Sequence, residues 1–187
     1  MHARPPLPAR PARHESRLAP WIEREKSWAR WLNAAAAYPS VLLLLAAVSR
    51  LGDGVLWYGL IAGLFWWGGA RGPECAVHLF ILGLVNLQIY AAIKTFFARP
   101  RPFVSCPGVR ACVHSLDEFS FPSGHTMHAV AFSMVIAVYY PPLASLLWSF
   151  TLLVALSRVV LGLHYPSDVA MGALLGGMMA KLSLLLV

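Results

Sequence analysis

Residues 126–160 read TMHAVAFSMVIAVYYPPLASLLWSFTLLVALSRVV, two apolar runs separated by Pro141-Pro142. Each run approaches the roughly 20 mainly apolar residues that a helix needs to cross a bilayer. Neither proline can continue the interior of a helix, so the pair predicts a tight turn. The stretch therefore predicts two antiparallel helices inserted in a membrane, and Arg158 is its one charged residue.

The composition of the whole chain is typical of an integral membrane protein. Of its 187 residues, 58% are hydrophobic and 12% are charged, whereas soluble domains carry about 25% charged residues. We predict an all-α fold in which residues 31–187 form a polytopic bundle of six transmembrane helices. The predicted crossings are Trp31–Ser49, Val55–Ala70, Cys75–Ile93, Thr126–Tyr140, Leu143–Val160 and Val169–Val187.

Residues 1–30 form a separate basic segment in this prediction. Residues 1–13 are rich in Pro, Arg and Ala, and we expect them to be disordered. From His14 to Arg30 apolar and charged residues alternate, which predicts an amphipathic helix at the membrane interface. A polar extension of the first crossing is the alternative. Basic residues beside a membrane helix favour contact with lipid headgroups, so we expect the bilayer and not a nucleic acid as the partner.

The basic segment also predicts an orientation. Six crossings place both termini on one face, and the positive-inside rule assigns that face to the cytoplasm. The segments around residues 94–125 and 158–168 then lie on the periplasmic face of a bacterial inner membrane. We expect no cleavable signal peptide, because the first apolar run lies too far from the start of the chain.

Three short segments at the ends of predicted helices combine cations, histidines and a carboxylate. They read KTFFARPRP from Lys94, PSGH from Pro122 and SRVVLGLHYPSD from Ser157. An isolated cation at the edge of the hydrocarbon is costly, so a cluster on one face indicates a bound anion. A phosphate site at a membrane edge points to a lipid phosphate as substrate.

Five of these residues are candidate phosphate ligands. Arg101 and Arg158 offer planar forks of donors that match phosphate oxygens, and Lys94 offers a compact charge. Ser123 is a good N-cap for the next helix, and Gly124 lets backbone N–H groups approach an anion. Such fixed donors stabilise the charge that develops during phosphoryl transfer.

Three others are candidate catalytic residues. The spacing of His164 and Asp168 allows the carboxylate to hydrogen-bond one imidazole nitrogen and leave the other free to attack phosphorus. His125 would protonate the departing oxygen as the general acid. Acidic residues are too few and scattered to hold Mg²⁺, so we expect no metal and no cofactor.

The order Lys-x6-Arg-Pro, Pro-Ser-Gly-His and Ser-Arg-x5-His-x3-Asp resembles the type 2 phosphatidic acid phosphatase family, of the superfamily that includes vanadium haloperoxidases. The motifs cover residues 94–168, and the helical layout extends the likeness to about residues 31–187. The resemblance implies a metal-independent hydrolase acting through a phosphohistidine. It implies His164 as nucleophile, Asp168 as its orienting partner and His125 as acid. It implies Lys94, Arg101, Ser123, Gly124 and Arg158 as phosphate ligands.

The motifs do not choose among lipids. We favour undecaprenyl diphosphate, with phosphatidylglycerophosphate, phosphatidic acid and lipid A phosphates as alternatives. A phosphotransferase using the same intermediate is a further alternative, and the oligomeric state stays open.

The loop between the first two motifs carries the remaining expectations. We expect its polar residues His114, Asp117 and Glu118 to be solvated, with contact to a substrate headgroup as the alternative. We also expect a disulfide between Cys106 and Cys112, because Pro107-Gly108 can turn the chain between them and a periplasmic loop is oxidising.

Overall fold

A computed structural model of the protein describes residues 13–115 and 117–187, with side chains described from residue 19 onward. The predicted disorder of the first residues concerns a segment outside these ranges. The all-α prediction is confirmed, since the described ranges contain helices and one isolated bridge between Pro100 and Phe119, but no strand. The helices are α1 (Arg13–Ala34), α2 (Pro39–Leu51), α3 (Val55–Trp67), α4 (Gly72–Phe97), α5 (Pro102–Ser105), α6 (Gly124–Tyr139), α7 (Ala144–Val160) and α8 (Pro166–Leu184).

Five of the six predicted crossings correspond to single helices, namely α3, α4, α6, α7 and α8. Within the described residues, the helical segments Gly69–Phe97 and Pro141–Val160 are each long and apolar enough to cross a membrane, while α3 and α6 are shorter apolar helices. Pro141-Pro142 forms a single turn of 3₁₀ helix between α6 and α7, as the sequence predicts. The protein therefore has the apolar helices of a membrane protein.

The prediction of one continuous crossing over Trp31–Ser49 is wrong. The chain bends by 109° between Ala19–Ala37 and Pro39–Leu51. Tyr38 is extended, with φ −84° and ψ 117°, and Pro39 begins α2. A proline disfavours the helical conformation of the residue before it, which explains why α1 cannot run on into α2.

Helix α1 lies against the loops that carry the motifs. Glu25 accepts hydrogen bonds from Arg99, at 2.7 Å, and from the backbone N–H of Ser167, at 2.9 Å. Further along α1, the side chain of Asn33 donates to the carbonyl oxygens of Arg110, at 3.0 Å, and Val160, at 2.9 Å. The expectation that residues 14–30 lie on the face opposite the motifs is therefore wrong.

Close packing of α6 against α8 aligns the start of these two helices. A Cβ atom added at Gly172 would lie 2.4 Å from the carbonyl oxygen of Ser123, and one at Gly176 would lie 2.2 Å from that of Met127. Only glycine permits this approach. The backbone N–H of Ser123 consequently donates to the carbonyl of Asp168 at 2.9 Å, which joins the second motif to the third.

Candidate active site

All three motifs meet at one end of the bundle, where helices end or begin. Lys94 lies in the last turn of α4. The helix ends at Phe97, because Ala98 adopts a left-handed conformation (φ 43°) that turns the chain toward the first motif's arginines. Ser123 caps α6 by accepting from the backbone N–H of Thr126, which confirms its predicted role as N-cap. Arg158 lies in the last turn of α7 and His164 in the loop that follows.

The three predicted phosphate-binding cations are almost completely buried. The exposed fraction is 5% for Lys94, 1% for Arg101 and 3% for Arg158. Arg101 and Arg158 line a cavity of about 370 Å³ together with His125 and His164. The Nε of Arg158 is buried without a hydrogen-bond partner within the described part of the chain. Buried arginines with an unused donor suit an anion, while Asp53 and Asp117 in the same lining offset part of the positive charge.

Asp117 occupies the space between two of these cations, so the expectation that it is solvated is wrong. Its Oδ1 lies 2.7 Å from the Nζ of Lys94 and 2.5 Å from a guanidinium nitrogen of Arg101, and Tyr90 donates to its Oδ2. Burial alone would raise the pKa of Asp117, but hydrogen bonds from Lys94 and Tyr90, with the neighbouring cations, lower it to about 2. A carboxylate thus lies between two of the cations that the sequence predicts to bind phosphate.

His164 is held in one tautomer by the backbone. Its Nδ1 lies 2.6 Å from the carbonyl oxygen of Ser120, which can only accept, so Nδ1 carries the proton. The lone pair is then on Nε2, which is 3.4 Å from a nitrogen of Arg101. Burial, followed by the charges of Arg158 and Arg101, places the pKa of His164 well below its usual value. The neutral ring is the form needed for a nucleophile.

The predicted hydrogen bond between Asp168 and His164 is absent from this arrangement. The carboxylate Oδ2 of Asp168 is 3.8 Å from Nδ1 of His164, beyond hydrogen-bond range. Instead, Oδ2 accepts from the backbone N–H of Tyr165 at 2.7 Å and Oδ1 accepts from Arg99 at 2.6 Å. Asp168 therefore fixes the loop that carries His164 and is itself held by Arg99, which also reaches Glu25 of α1.

His125, the predicted general acid, pairs with a residue that the motifs do not contain. Its Nε2 is 2.5 Å from Oδ1 of Asp53, in the turn between α2 and α3. Burial would raise the pKa of Asp53, but the hydrogen bond from His125 and its charge lower it. This carboxylate is therefore ionised at neutral pH.

The second motif's small residues are tightly enclosed. A Cβ atom added at Gly124 would lie 2.6 Å from the ring of Tyr90, which also donates to Asp117. The hydroxyl of Ser123 is completely buried and lies 3.0 Å from the hydroxyl of Thr126. That Ser123 and Gly124 contact phosphate stays a prediction.

The cavity has an apolar side as well as a charged one. Away from the histidines, its lining includes Trp57, Phe80, Leu84, Leu87 and Phe132, from α3, α4 and α6. Phe80, Leu84 and Leu87 belong to α4, which is apolar enough to cross a membrane. The cavity can therefore hold a charged headgroup together with the first part of a hydrocarbon chain.

The predicted disulfide between Cys106 and Cys112 is not formed, and both thiols are free. Cys106 is buried in a cluster with Ala29, Val109 and Tyr165. Cys112 packs instead against a second cluster that contains Val160. Asn33 of α1 holds Arg110 between the two cysteines, so they face different parts of the fold.

Comparison with known proteins identifies the family. The profile of the PAP2 superfamily matches residues 75–187, which include all three motifs and more than half of the chain. The chain belongs to the PAP2 superfamily. This membership confirms the resemblance inferred from the spacing of the motifs.

Two PAP2 relatives have names that describe polyprenyl phosphates. The decaprenylphosphoryl-5-phosphoribose phosphatase of Mycobacterium tuberculosis is 32% identical over 156 residues, which are 77% of this chain and 79% of the relative. The undecaprenyl-diphosphatase BcrC of Bacillus subtilis is 34% identical over 113 residues, 60% of this chain. That alignment spans only 58% of BcrC.

Solved PAP2 structures share the fold. LpxE from Aquifex aeolicus superposes with a TM-score of 0.75 at 26% identity, covering 84% of this chain and 93% of LpxE. A transmembrane PAP2-type phosphatidylglycerolphosphate phosphatase from B. subtilis superposes with a TM-score of 0.67 at 24% identity, covering 86% and 84%. The second likeness supports the fold alone.

Sequence reasoning missed the residues that surround the motifs. Asp53 and Glu25 lie far from the motifs along the chain and reach them only through the fold. Arg99 is inside the first motif, but its pairing with Asp168 has no local signal in the sequence.

Proposed function

We propose that the protein is a lipid phosphatase that transfers a phosphoryl group from a membrane lipid to His164 and then to water. The observation that carries this proposal is the convergence of two arginines and two histidines on one cavity with an apolar wall. Lys94 lies next to Arg101, since both cations contact Oδ1 of Asp117, at 2.7 Å and 2.5 Å. Membership of the PAP2 superfamily supports the same reaction.

The geometry supports a specific order of steps. Nε2 of His164 attacks phosphorus, and the bond from phosphorus to the leaving oxygen breaks as that oxygen takes a proton from His125. In the second step His125 takes a proton from water, whose oxygen attacks phosphorus and breaks the phosphorus–nitrogen bond. Inorganic phosphate leaves and both histidines return to their starting forms.

Charge stabilisation in both steps falls to the cations. Arg101 is fixed by the carbonyl of Leu163 at 2.7 Å and lies beside the attacking nitrogen of His164. Arg158, which lines the same cavity, has a buried Nε–H with no hydrogen-bond partner among the described residues. Donors held in place before the reaction stabilise the developing charge without reorganising, which is the role a metal ion plays in other phosphatases.

For the substrate we propose a polyprenyl phosphate or diphosphate, with undecaprenyl diphosphate as the first choice. The two relatives named above act, by their names, on undecaprenyl and decaprenyl lipids. The decaprenylphosphoryl-5-phosphoribose relative aligns over the larger share of both chains, so a polyprenyl phosphosugar is the second candidate. Phosphatidylglycerophosphate, phosphatidic acid, lipid A phosphates and a phosphotransfer reaction remain the alternatives.

We also propose that five helices, α3, α4, α6, α7 and α8, cross the membrane. Asp53, just before α3, lies beside His125 at the start of α6, and Gly68, just after α3, accepts from Tyr140 at the other end of α6. The segment that contains α3 therefore extends from one end of α6 to the other. By contrast, the second half of α2 contacts the site end of α7 and the loop after it: Leu45 packs with Val160, Leu161 and Leu163, and Ser49 accepts from Arg158.

In this arrangement α1 and α2 lie at the interface on the same face as the site. Trp21, Trp28 and Trp31 of α1 are exposed, as suits an interfacial helix. Basic residues other than Lys94, Arg101 and Arg158 are then more numerous on the site face. Among the residues with described side chains, those on the site face are Arg24, Lys26, Arg30, Arg50, Arg99 and Arg110, and those opposite are Arg71 and Lys181.

The positive-inside rule now predicts a cytoplasmic site. This reverses the expectation of a periplasmic site, which depended on α1 lying on the opposite face. Cysteines introduced one at a time at Arg24, Arg110 and Arg71 would test it with an impermeant maleimide, in a Cys112→Ser background whose remaining Cys75 and Cys106 are buried. In intact cells only Arg71→Cys should label; labelling of Arg24→Cys and Arg110→Cys instead would restore the periplasmic site.

The proposed function is tested by release of inorganic phosphate from a panel of lipids in detergent. We expect release from undecaprenyl diphosphate and decaprenyl phosphosugar to exceed release from phosphatidic acid and phosphatidylglycerophosphate. His164→Ala, assayed in parallel, should release none. Absence of release from every lipid by the wild-type protein would refute the proposal.

A further inference from the structure

We propose that Asp53 is a positioning residue that holds His125 in the orientation and charge state needed to protonate the leaving group. The inference rests on the proposed function, but it assigns a role to a residue that none of the three motifs contains. Asp53 and His125 are 72 positions apart in the sequence and meet at 2.5 Å in the fold.

The turn that carries Asp53 fixes one edge of the imidazole ring. Asp53 Oδ1 contacts Nε2, and a Cβ atom added at Gly52 would lie 3.3 Å from the neighbouring ring carbon, Cδ2. The turn therefore covers the Nε2–Cδ2 edge of His125. The opposite nitrogen, Nδ1, is left for the leaving oxygen. Gly54 makes this turn possible, since its φ of +114° is rarely accessible to other residues.

The charges around His125 explain why a carboxylate is needed there. Burial, Arg158 of α7 and His128 of its own helix all oppose a positive charge on His125, while the neighbouring carboxylate of Asp53 favours it. Asp53 is itself stabilised as an anion by its neighbours Arg158 and Arg50. A general acid must carry its proton when the substrate is bound, and an ionised carboxylate at hydrogen-bond distance favours the protonated imidazole.

Asp117 does not stabilise the protonated form of His125, because its carboxylate is paired with other groups. It pairs with Lys94 and Arg101 on the far side of the phosphate site and would give way to a bound phosphate. Asp53 instead remains on the leaving-group side. The two carboxylates therefore have separate roles, one at the phosphate position and one behind the acid.

The test compares two substrates that differ in their need for protonation. An alkyl phosphate such as phosphatidic acid has a poor leaving group, whereas p-nitrophenol leaves p-nitrophenyl phosphate with little help. General acid catalysis contributes about 10²–10⁴-fold, so we expect Asp53→Asn to lower kcat by about 10–100-fold on the alkyl phosphate. On p-nitrophenyl phosphate we expect a loss of no more than about threefold, because the acid contributes little to that reaction.

Two further variants separate positioning from a general loss of structure. If Asp53 acts through His125, the double variant Asp53→Asn/His125→Ala should be no slower than His125→Ala alone. Asp53→Glu, which restores the carboxylate, should recover part of the activity on the alkyl phosphate. Glu74→Gln, at the opposite end of the bundle, is the matched control and should leave both activities unchanged.

Equal losses on the two substrates, or additive losses in the double variant, would overturn this inference while leaving the proposed function intact. A wild-type protein that hydrolyses neither substrate nor the lipid panel would instead remove the proposed function. The two failures are therefore distinguishable in one set of assays.

Discussion

Asn in place of Asp117 should tighten the binding of phosphate-like anions. In the wild-type protein the carboxylate of Asp117 takes hydrogen bonds from Lys94, at 2.7 Å, from Arg101, at 2.5 Å, and from Tyr90. A substrate phosphate needs the same donors, so it must displace this carboxylate first. Asp117→Asn keeps the size of the side chain and removes the negative charge that competes.

The magnitude follows from the contacts that the anion has to break. A hydrogen bond to a charged group contributes about 1.5–3 kcal/mol to stability. The side chain of Asp117 is 33% exposed, so solvent screens part of this interaction. If displacing Asp117 costs an anion about 1.4 kcal/mol after this screening, the carboxylate lowers the affinity for the anion about tenfold.

The assay is competitive inhibition by orthovanadate, which can adopt the geometry of phosphoryl transfer. We expect the inhibition constant of Asp117→Asn to fall about tenfold below that of the wild-type protein. Glu118→Gln removes the same charge from the next, exposed residue of the loop and should change the constant little. A higher inhibition constant in Asp117→Asn would mean that Asp117 assembles the cations and does not compete with the anion.

Three other predictions follow from the site and the loop. Hydrolysis should continue in excess EDTA, because Arg101 and Arg158 supply the charge; loss of activity that Mg²⁺ restores would contradict this. Because the pKa of His164 is lowered, its neutral form should persist as the pH falls through the usual histidine value of about 6.5. Apart from the titration of the substrate's own phosphate, the kcat/KM of His125→Ala should therefore show no acid limb near that value. A further limb there would place the titration on His164. Thiol labelling of the denatured, non-reduced protein should find three free thiols, and a single thiol would restore the predicted disulfide.

The parts of the fold that the sequence predicts are those with local causes. Pro141-Pro142 ends one helix and begins the next whatever surrounds it, and the Ser123 hydroxyl caps α6 through a residue three positions away. The bend at Tyr38-Pro39 also has a local cause, yet the apolar residues on both sides of it suggested one crossing. The prediction of a single crossing rested on hydropathy and did not take account of Pro39.

The parts of the site that the sequence does not predict depend on competition between distant groups. The i, i+4 spacing permits a bond between Asp168 and His164, but the backbone of Tyr165 and the guanidinium of Arg99 take the carboxylate instead. The carbonyl oxygen of Ser120, and not the carboxylate of Asp168, then accepts the hydrogen bond from Nδ1 of His164. Which acceptor lies closest to the imidazole is decided by tertiary packing, and no spacing rule contains that information.

In the proposed reaction, phosphate passes through a covalent bond to Nε2 of His164. Rapid acid-free quenching of the protein during turnover of radiolabelled lipid phosphate, followed by peptide mapping, would locate this bond. We expect acid-labile label on the peptide that contains His164, and none in His164→Ala. Label on another residue, or steady phosphate release by His164→Ala, would show that phosphate does not pass through this nitrogen.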